Sequence, residues 1–166
     1  MSLGKEPKKI YVEITSEMAD ATFNFVNRLF EEDLEAFWDS VCAVDQARIY
    51  GIYRTILDKE NLSFRQYSYS RFIKNEFVNL LRLKMKNYKE NPGIATHLRF
   101  SKDGVPMVYL LQNTIVPRHY IAESEEMVYP IFLGLDTVYK EGEIVAEWKV
   151  RLYDDESHSK IMNQNF

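Results

Sequence analysis

Three histidines, at positions 97, 119 and 158, are the side chains of this chain that titrate nearest neutral pH. His158 stands in a C-terminal stretch without periodicity and is set aside. His97 in "ATHLRF" and His119 in "VPRHYI" fall on segments that read as strands, where they could share a sheet face with Arg99 and Glu147. A histidine beside a carboxylate at the mouth of a pocket can act as a general base, so His97, His119 and Glu147 are the catalytic candidates. Polar residues on the wet side of a sheet are the simpler account of all three, and strand order decides between the two.

Other chemistry is sparse. The single cysteine, Cys42, permits neither an internal disulfide nor a thiolate metal cluster. Its apolar and acidic neighbours in "FWDSVCAV" raise a thiol pKa, so it reads as core packing rather than as a nucleophile. The chain holds no glycine-rich phosphate loop, no His-Glu-x-x-His and no nucleophile elbow. Neither a metal nor a cofactor is expected. The aromatic side chains Phe37, Trp38, Tyr109, Tyr129 and Trp148, with Phe132, could line an apolar ligand pocket, although ordinary core packing is the simpler account of any one of them.

Charge is distributed unevenly. Between Glu13 and Asp45 stand nine acidic residues and one basic residue, Arg28; between Phe64 and Lys89 stand seven basic residues and one acidic residue, Glu76. The basic segment, "FRQYSYSRFIKNEFVNLLRLKMKNYK", is interleaved with Phe64, Tyr67, Tyr69 and Phe72, and rings of this kind can stack on unpaired bases. Against that, the whole chain carries a formal net charge of -4, and the field of an acidic protein opposes the steering that phosphate binders use. Nucleic acid is therefore not the expected partner. A regulator that uses the basic helix 70–89 is an alternative, and pairing of the basic stripe with acids such as Glu31, Glu32 and Glu35 is the preferred account.

The elements that must position these residues come in a definite order. After a short extended start, "KIYVEI", Ser16 is placed to cap a helix with Ala19, Phe23, Val26, Leu29 and Phe30 inward. Asp33 is placed to cap a short helix with Leu34, Phe37, Trp38 and Val41 inward. A third helix is read in "DQARIYGIYRTIL", turning on Ala47, Tyr50, Tyr53 or Arg54, and Leu57. A fourth runs from Ser70 to about Tyr88, with Arg71, Lys74, Arg82, Lys86 and Lys89 on one stripe and Leu83 in the apolar arc.

From Ile94 the period changes to two. "ATHLRF", "VPMVYLLQ", "TIVPRHYI", "EMVYPIFLGLD" and "EIVAEWKVRLY" read as strands, with turns at Asp103-Gly104 and around Gly142. In the last strand Ile144, Ala146, Trp148, Val150 and Leu152 form a dry face. Pro106, Pro117 and Pro130 belong on edges, at strand starts or at bulges.

The expectation is α+β: N-terminal helices packed on a curved antiparallel sheet formed by the C-terminal half. It is one domain over 1–166, with a helical half at about 16–90, strands at about 94–153 and a frayed tail at 154–166. At 166 residues, 46% of them hydrophobic and 28% charged, the chain has the composition of a globular protein. No apolar run approaches the roughly 18 residues that span a bilayer, and "MSLGKEPKKI" has no signal-peptide core. The expected location is cytoplasmic, with no membrane contact.

The N-terminal helix, the tight connection "FEEDLEAFWDSV" into a short second helix and the meander ending in "EIVAEWKVRLYDD" resemble the nuclear-transport-factor-2-like, or cystatin-like, superfamily. The resemblance implies helices packed inside a bent sheet, a pocket at the open end of the cone and frequent dimerisation through the sheet. It implies no reaction, because the superfamily holds both enzymes and binding modules. The preferred reading is a homodimeric module that binds a protein or a small apolar ligand. The alternative is an enzyme with a pocket histidine as general base.

Overall fold

A computed structural model describes residues 12–90, 92–112 and 128–152 of the chain. Its class is α+β. N-terminal helices are followed by an antiparallel sheet, and the expected C-terminal meander gains a short edge strand from the N-terminal end. The expected strand "TIVPRHYI", Pro117 and the tail lie outside the described residues.

Helix α1 (Ser16–Phe30) is capped by Thr15, not by Ser16: Thr15 is extended, and its hydroxyl accepts from the Met18 amide at 3.3 Å. The buried face carries Met18, Thr22, Phe25, Val26 and Leu29. It is rotated from the expected Ala19 and Phe23, and the Thr22 that this buries is satisfied by donating its hydroxyl to the Met18 carbonyl at 2.9 Å. Helix α2 (Leu34–Asp39) has the expected cap, with Asp33 accepting from the Ala36 amide at 3.1 Å. Helix α3 (Ala43–Lys59) buries Asp45, Ile49, Tyr53 and Leu57, so the expected inward positions Ala47 and Tyr50 face outward.

The fourth expected helix is a rod of changing pitch. It comprises α4 (Tyr69–Phe72), a π-helical turn at Ile73–Val78, α5 (Asn79–Lys84) and a 3-10 turn at Lys86–Tyr88. A π turn holds more residues than an α turn, so phases extrapolated at 100° per residue fail beyond it. Leu83, expected in the apolar arc, is 66% exposed.

Among the described residues the sheet has six strands: β1 (Val12–Glu13), β2 (Gly93–Ile94), β3 (His97–Phe100), β4 (Pro106–Leu111), β5 (Val128–Lys140) and β6 (Glu143–Arg151). Its order is β1-β3-β4-β5-β6, with β2 also on β4 and every named pair antiparallel. One parallel bridge, Val41 to Val150, ties the end of α2 to the outer edge of β6. Both expected turns form. Gly104 adopts φ 79°, and Glu141 and Gly142 adopt φ 50° and 82°, the paired left-handed geometry of a tight hairpin. Pro106 opens β4, where no earlier ladder bond is lost.

Register assigns the faces. Val108, Leu110, Ile131, Leu133 and Val150 are buried on the side that meets the helices, and α1 lies against β6 and β4. Phe132, on the opposite side, is also buried within one chain. Beyond Gly134 the β5–β6 hairpin keeps a tie to the start of α3, the Asp136 carboxylate accepting from the Ala43 amide at 2.9 Å. There the face expected to be dry is open, with Leu135 57%, Tyr139 73% and Ile144 71% exposed. Among the described residues no helix is long and apolar enough to cross a membrane.

Candidate functional site: an aromatic groove between two helices

An open groove of about 310 Å³ separates α2 from the start of the basic rod, lined by Leu34, Glu35, Trp38, Asp39, Tyr69, Ser70 and Ile73. Spacing on α2 builds one wall. Leu34 and Trp38 are four residues apart and so lie on one strip, while Glu35 and Asp39 form the adjacent strip and are exposed. The other wall begins where Ser68 caps α4 by accepting from the Arg71 amide at 3.1 Å, which presents Tyr69 and Ser70 in the first turn. Ile73 follows at the start of the π turn.

The rings lock together behind this opening. Trp38 meets Tyr69 edge-on at 6.0 Å between centroids and Phe77 at 6.5 Å. Tyr69 in turn packs on Tyr50 and on Tyr53, both at 5.2 Å. Tyr53 is fully buried, and its hydroxyl is satisfied by donating to the Tyr67 carbonyl at 2.6 Å. Burial, with Tyr50 adding to it, pushes the Tyr69 phenol well above its ordinary range. Burial and the acceptor Glu76, 2.8 Å away, push Tyr67 up to about 12. The Tyr67 and Tyr69 phenols are therefore neutral over the physiological range. The wall offers ring faces and edges, and the rim offers two carboxylates.

The candidates read from sequence are scattered across the fold. Trp38 lines the groove, whereas Phe37 points the other way into the core against Phe25 at 5.4 Å. Tyr109 pairs with Pro130 on the sheet face away from the helices; Tyr129 is on the helix face, edge-on to Tyr88 at 5.9 Å. Trp148 sits on the helix face of β6, half-buried. These five residues do not line one pocket.

His97 lies on β3 with its Nδ1 3.2 Å from the Thr96 hydroxyl, and Glu147 lies on β6 with its carboxylate 3.4 Å from Lys140. Strands β4 and β5 stand between them, a separation of about 14 Å across the sheet at the usual strand spacing. His119 is outside the described residues. Tyr69, counted above among rings that could stack on bases, faces Trp38 instead. Leu34, Glu35, Asp39 and Ile73 carried no functional signal in the sequence, because their role depends on two segments meeting.

A second polar cluster is structural in character. Asp45, buried at the start of α3, accepts from Arg151 Nε at 2.9 Å and from the Leu152 amide at 3.1 Å. Burial raises its pKa, against the lowering influence chiefly of Arg151. Burial also pushes the neighbouring Cys42 thiol up to about 12, with the carboxylates of Asp136 and Asp45 adding to it. The thiol is thus held protonated and buried, which fits the core-packing role its neighbours in sequence led us to expect. Among the described residues no group of three or more His, Cys, Asp or Glu side chains is arranged to hold a metal ion.

The basic stripe does not meet the acidic segment through carboxylates at its central member. Arg82 donates from Nε to the Leu29 carbonyl at 2.7 Å and from Nη2 to the Glu31 carbonyl at 2.8 Å. Arg71 lies over the Tyr67 ring at 5.4 Å, and Lys89 over the Phe30 ring at 5.9 Å. The expected pairing with the side chains of Glu31 and its neighbours is thus replaced at Arg82 by capping of α1. Compared with known protein families, with curated protein sequences and with solved structures, the chain finds no match.

Proposed function

We propose that the protein is a non-catalytic binding module whose ligand has an apolar body and a positive charge, held in the groove between α2 and α4. The observation that carries this reading is the pairing of Trp38 and Tyr69 at 6.0 Å beneath the exposed carboxylates of Glu35 and Asp39. Indole and phenol rings attract cations through their negative faces, by about 0.5–2 kcal/mol depending on desolvation. The rim carboxylates add attraction for the same sign of charge and oppose anions. The geometry supports binding over catalysis because the tyrosine at the groove, Tyr69, is held neutral, and among the described residues no histidine lines it.

The module is read as a cytoplasmic homodimer joined through its sheet, with the cone-type arrangement that the superfamily resemblance implies. The contact of α1 with β6 and β4 supports that arrangement, and the exposed apolar side chains of the β5–β6 hairpin support the dimer. Fluorescence titration tests the ligand class. In a Trp148→Phe background the remaining indole, Trp38, reports on the groove. Benzyltrimethylammonium should quench it, its uncharged carbon isostere should bind a few-fold to about 30-fold more weakly, and benzoate should not bind. A response to benzoate equal to that of the ammonium, or no response to either, overturns the reading.

A further inference from the structure

We infer that two copies of this chain join β6 edge to edge about a two-fold axis centred on Ala146, which makes one continuous sheet across the dimer. The inference rests on the homodimer reading above and specifies its interface, strand and register.

The open edge comes first. Val150 donates its amide to the Ser40 carbonyl and accepts from the Cys42 amide, both at 2.9 Å, so its main-chain groups point away from β5. In an antiparallel strand these directions alternate, and the amides and carbonyls of Trp148, Ala146 and Ile144 therefore point to the same outer edge. Among the described residues no strand pairs with them. Ile144 is 71% exposed, and Ala146 and Glu143 are also exposed. An unpaired edge of this kind is a template for another strand.

Charge then selects the occupant and the register. In a two-fold pairing centred on Ala146, each Glu143 stands opposite the partner's Lys149, each Ile144 opposite Trp148, and each Val145 opposite Glu147. Opposite charges directly across a ladder stabilise it, and like charges destabilise it. Moving the centre to Val145 sets Glu143 against Glu147 twice. A centre at Glu147 sets that residue against its own copy, and a centre at Ile144 sets Glu141 against Glu147. A centre at Trp148 requires the main-chain groups of Val150, which Ser40 and Cys42 already occupy. Ala146 is the centre that joins opposite charges, avoids like charges and leaves the Val41 bridge intact. It also brings Ile144 beside the half-buried Trp148 on the face that one chain leaves open.

Light scattering and cysteine cross-linking test the interface on the full chain. The wild type should be a dimer at tens of micromolar. Glu143→Lys should weaken it at least about ten-fold by facing Lys149, and Glu143→Lys with Lys149→Glu should restore it. Ala146→Cys should form an inter-chain disulfide on oxidation, because its Cα should lie about 5.5 Å from its symmetry mate, within the range a disulfide bridges. Val145→Cys, which faces Glu147 rather than itself, should not cross-link, and the buried Cys42 should not compete. Rescue by the double charge reversal, together with cross-linking of the Ala146→Cys variant, supports the interface. A dimer that ignores charge reversal and does not cross-link as the Ala146→Cys variant overturns the interface while leaving the dimer reading standing. A monomeric wild type overturns both.

Discussion

Arg151 Nε stands 2.9 Å from Asp45 Oδ2, joining the last described strand to the first turn of α3 across 106 residues of sequence. The carboxylate side chain is 2% exposed and the guanidinium side chain 22%, so the carboxylate depends on its partner. Gly134 makes room for the arrangement: a Cβ there would lie 2.8 Å from Arg151 Cδ and 3.1 Å from Cys42 Sγ. Removing one member of a buried pair costs about 3–5 kcal/mol because the other charge is stranded, while replacing both with apolar residues is often nearly neutral. Urea unfolding should therefore show Arg151→Met to be strongly destabilising and Asp45→Leu with Arg151→Met markedly less so. Equal losses in the single and double variants would refute a coupled pair.

Arg82 fastens the rod to the end of α1. Its bonds to Leu29 and Glu31 reach carbonyls that the helix leaves without internal partners, and its charge lies where the helix dipole is negative. Arg82→Ala should lower stability by about 1.5 kcal/mol or more, the range for hydrogen bonds to a charged group. Lys74→Ala, at an exposed position on the same rod, should stay within about 0.5 kcal/mol. Thermal unfolding of the two variants side by side would separate a capping role from a general need for positive charge on that stripe.

Cys42 sets a pH dependence whose sign follows from its raised pKa. An unfolded thiol titrates at about 8.5, whereas the folded one is held protonated up to about 12. The folded state is therefore favoured by the thiol at any pH below the unfolded value. That contribution is lost as pH rises from there towards the folded value, by about 1.4 kcal/mol for each pH unit. Between pH 9 and 11, stability should fall less steeply in Cys42→Ala than in the wild type, whatever the absolute cost of the substitution. Parallel slopes would show that the thiol is not the group responsible.

Local chemistry alone determined a good deal of this protein. Asp33 caps α2 wherever that helix packs, because its carboxylate needs only the Ala36 amide three residues on. The Glu141-Gly142 turn and the change to period two beyond Ile94 are likewise properties of a few neighbouring residues, so helices followed by a meander were legible. The buried, protonated thiol of Cys42 was legible too, from its apolar and acidic neighbours.

Tertiary structure decided whatever depends on segments distant in sequence. The buried face of α1 turned to Phe25 and Met18 because neighbouring elements, not periodicity, choose among several apolar strips. The π turn at Ile73–Val78 shifted every phase beyond it and left Leu83 in water. Strand order set His97 and Glu147 apart with two strands between them, although alternation allowed both to share one face. The groove exists only because Trp38 and Tyr69, thirty-one positions apart in the chain, meet across two helices. Each half of such a contact looks like ordinary core or surface until packing supplies the other, and packing is a property of the whole chain.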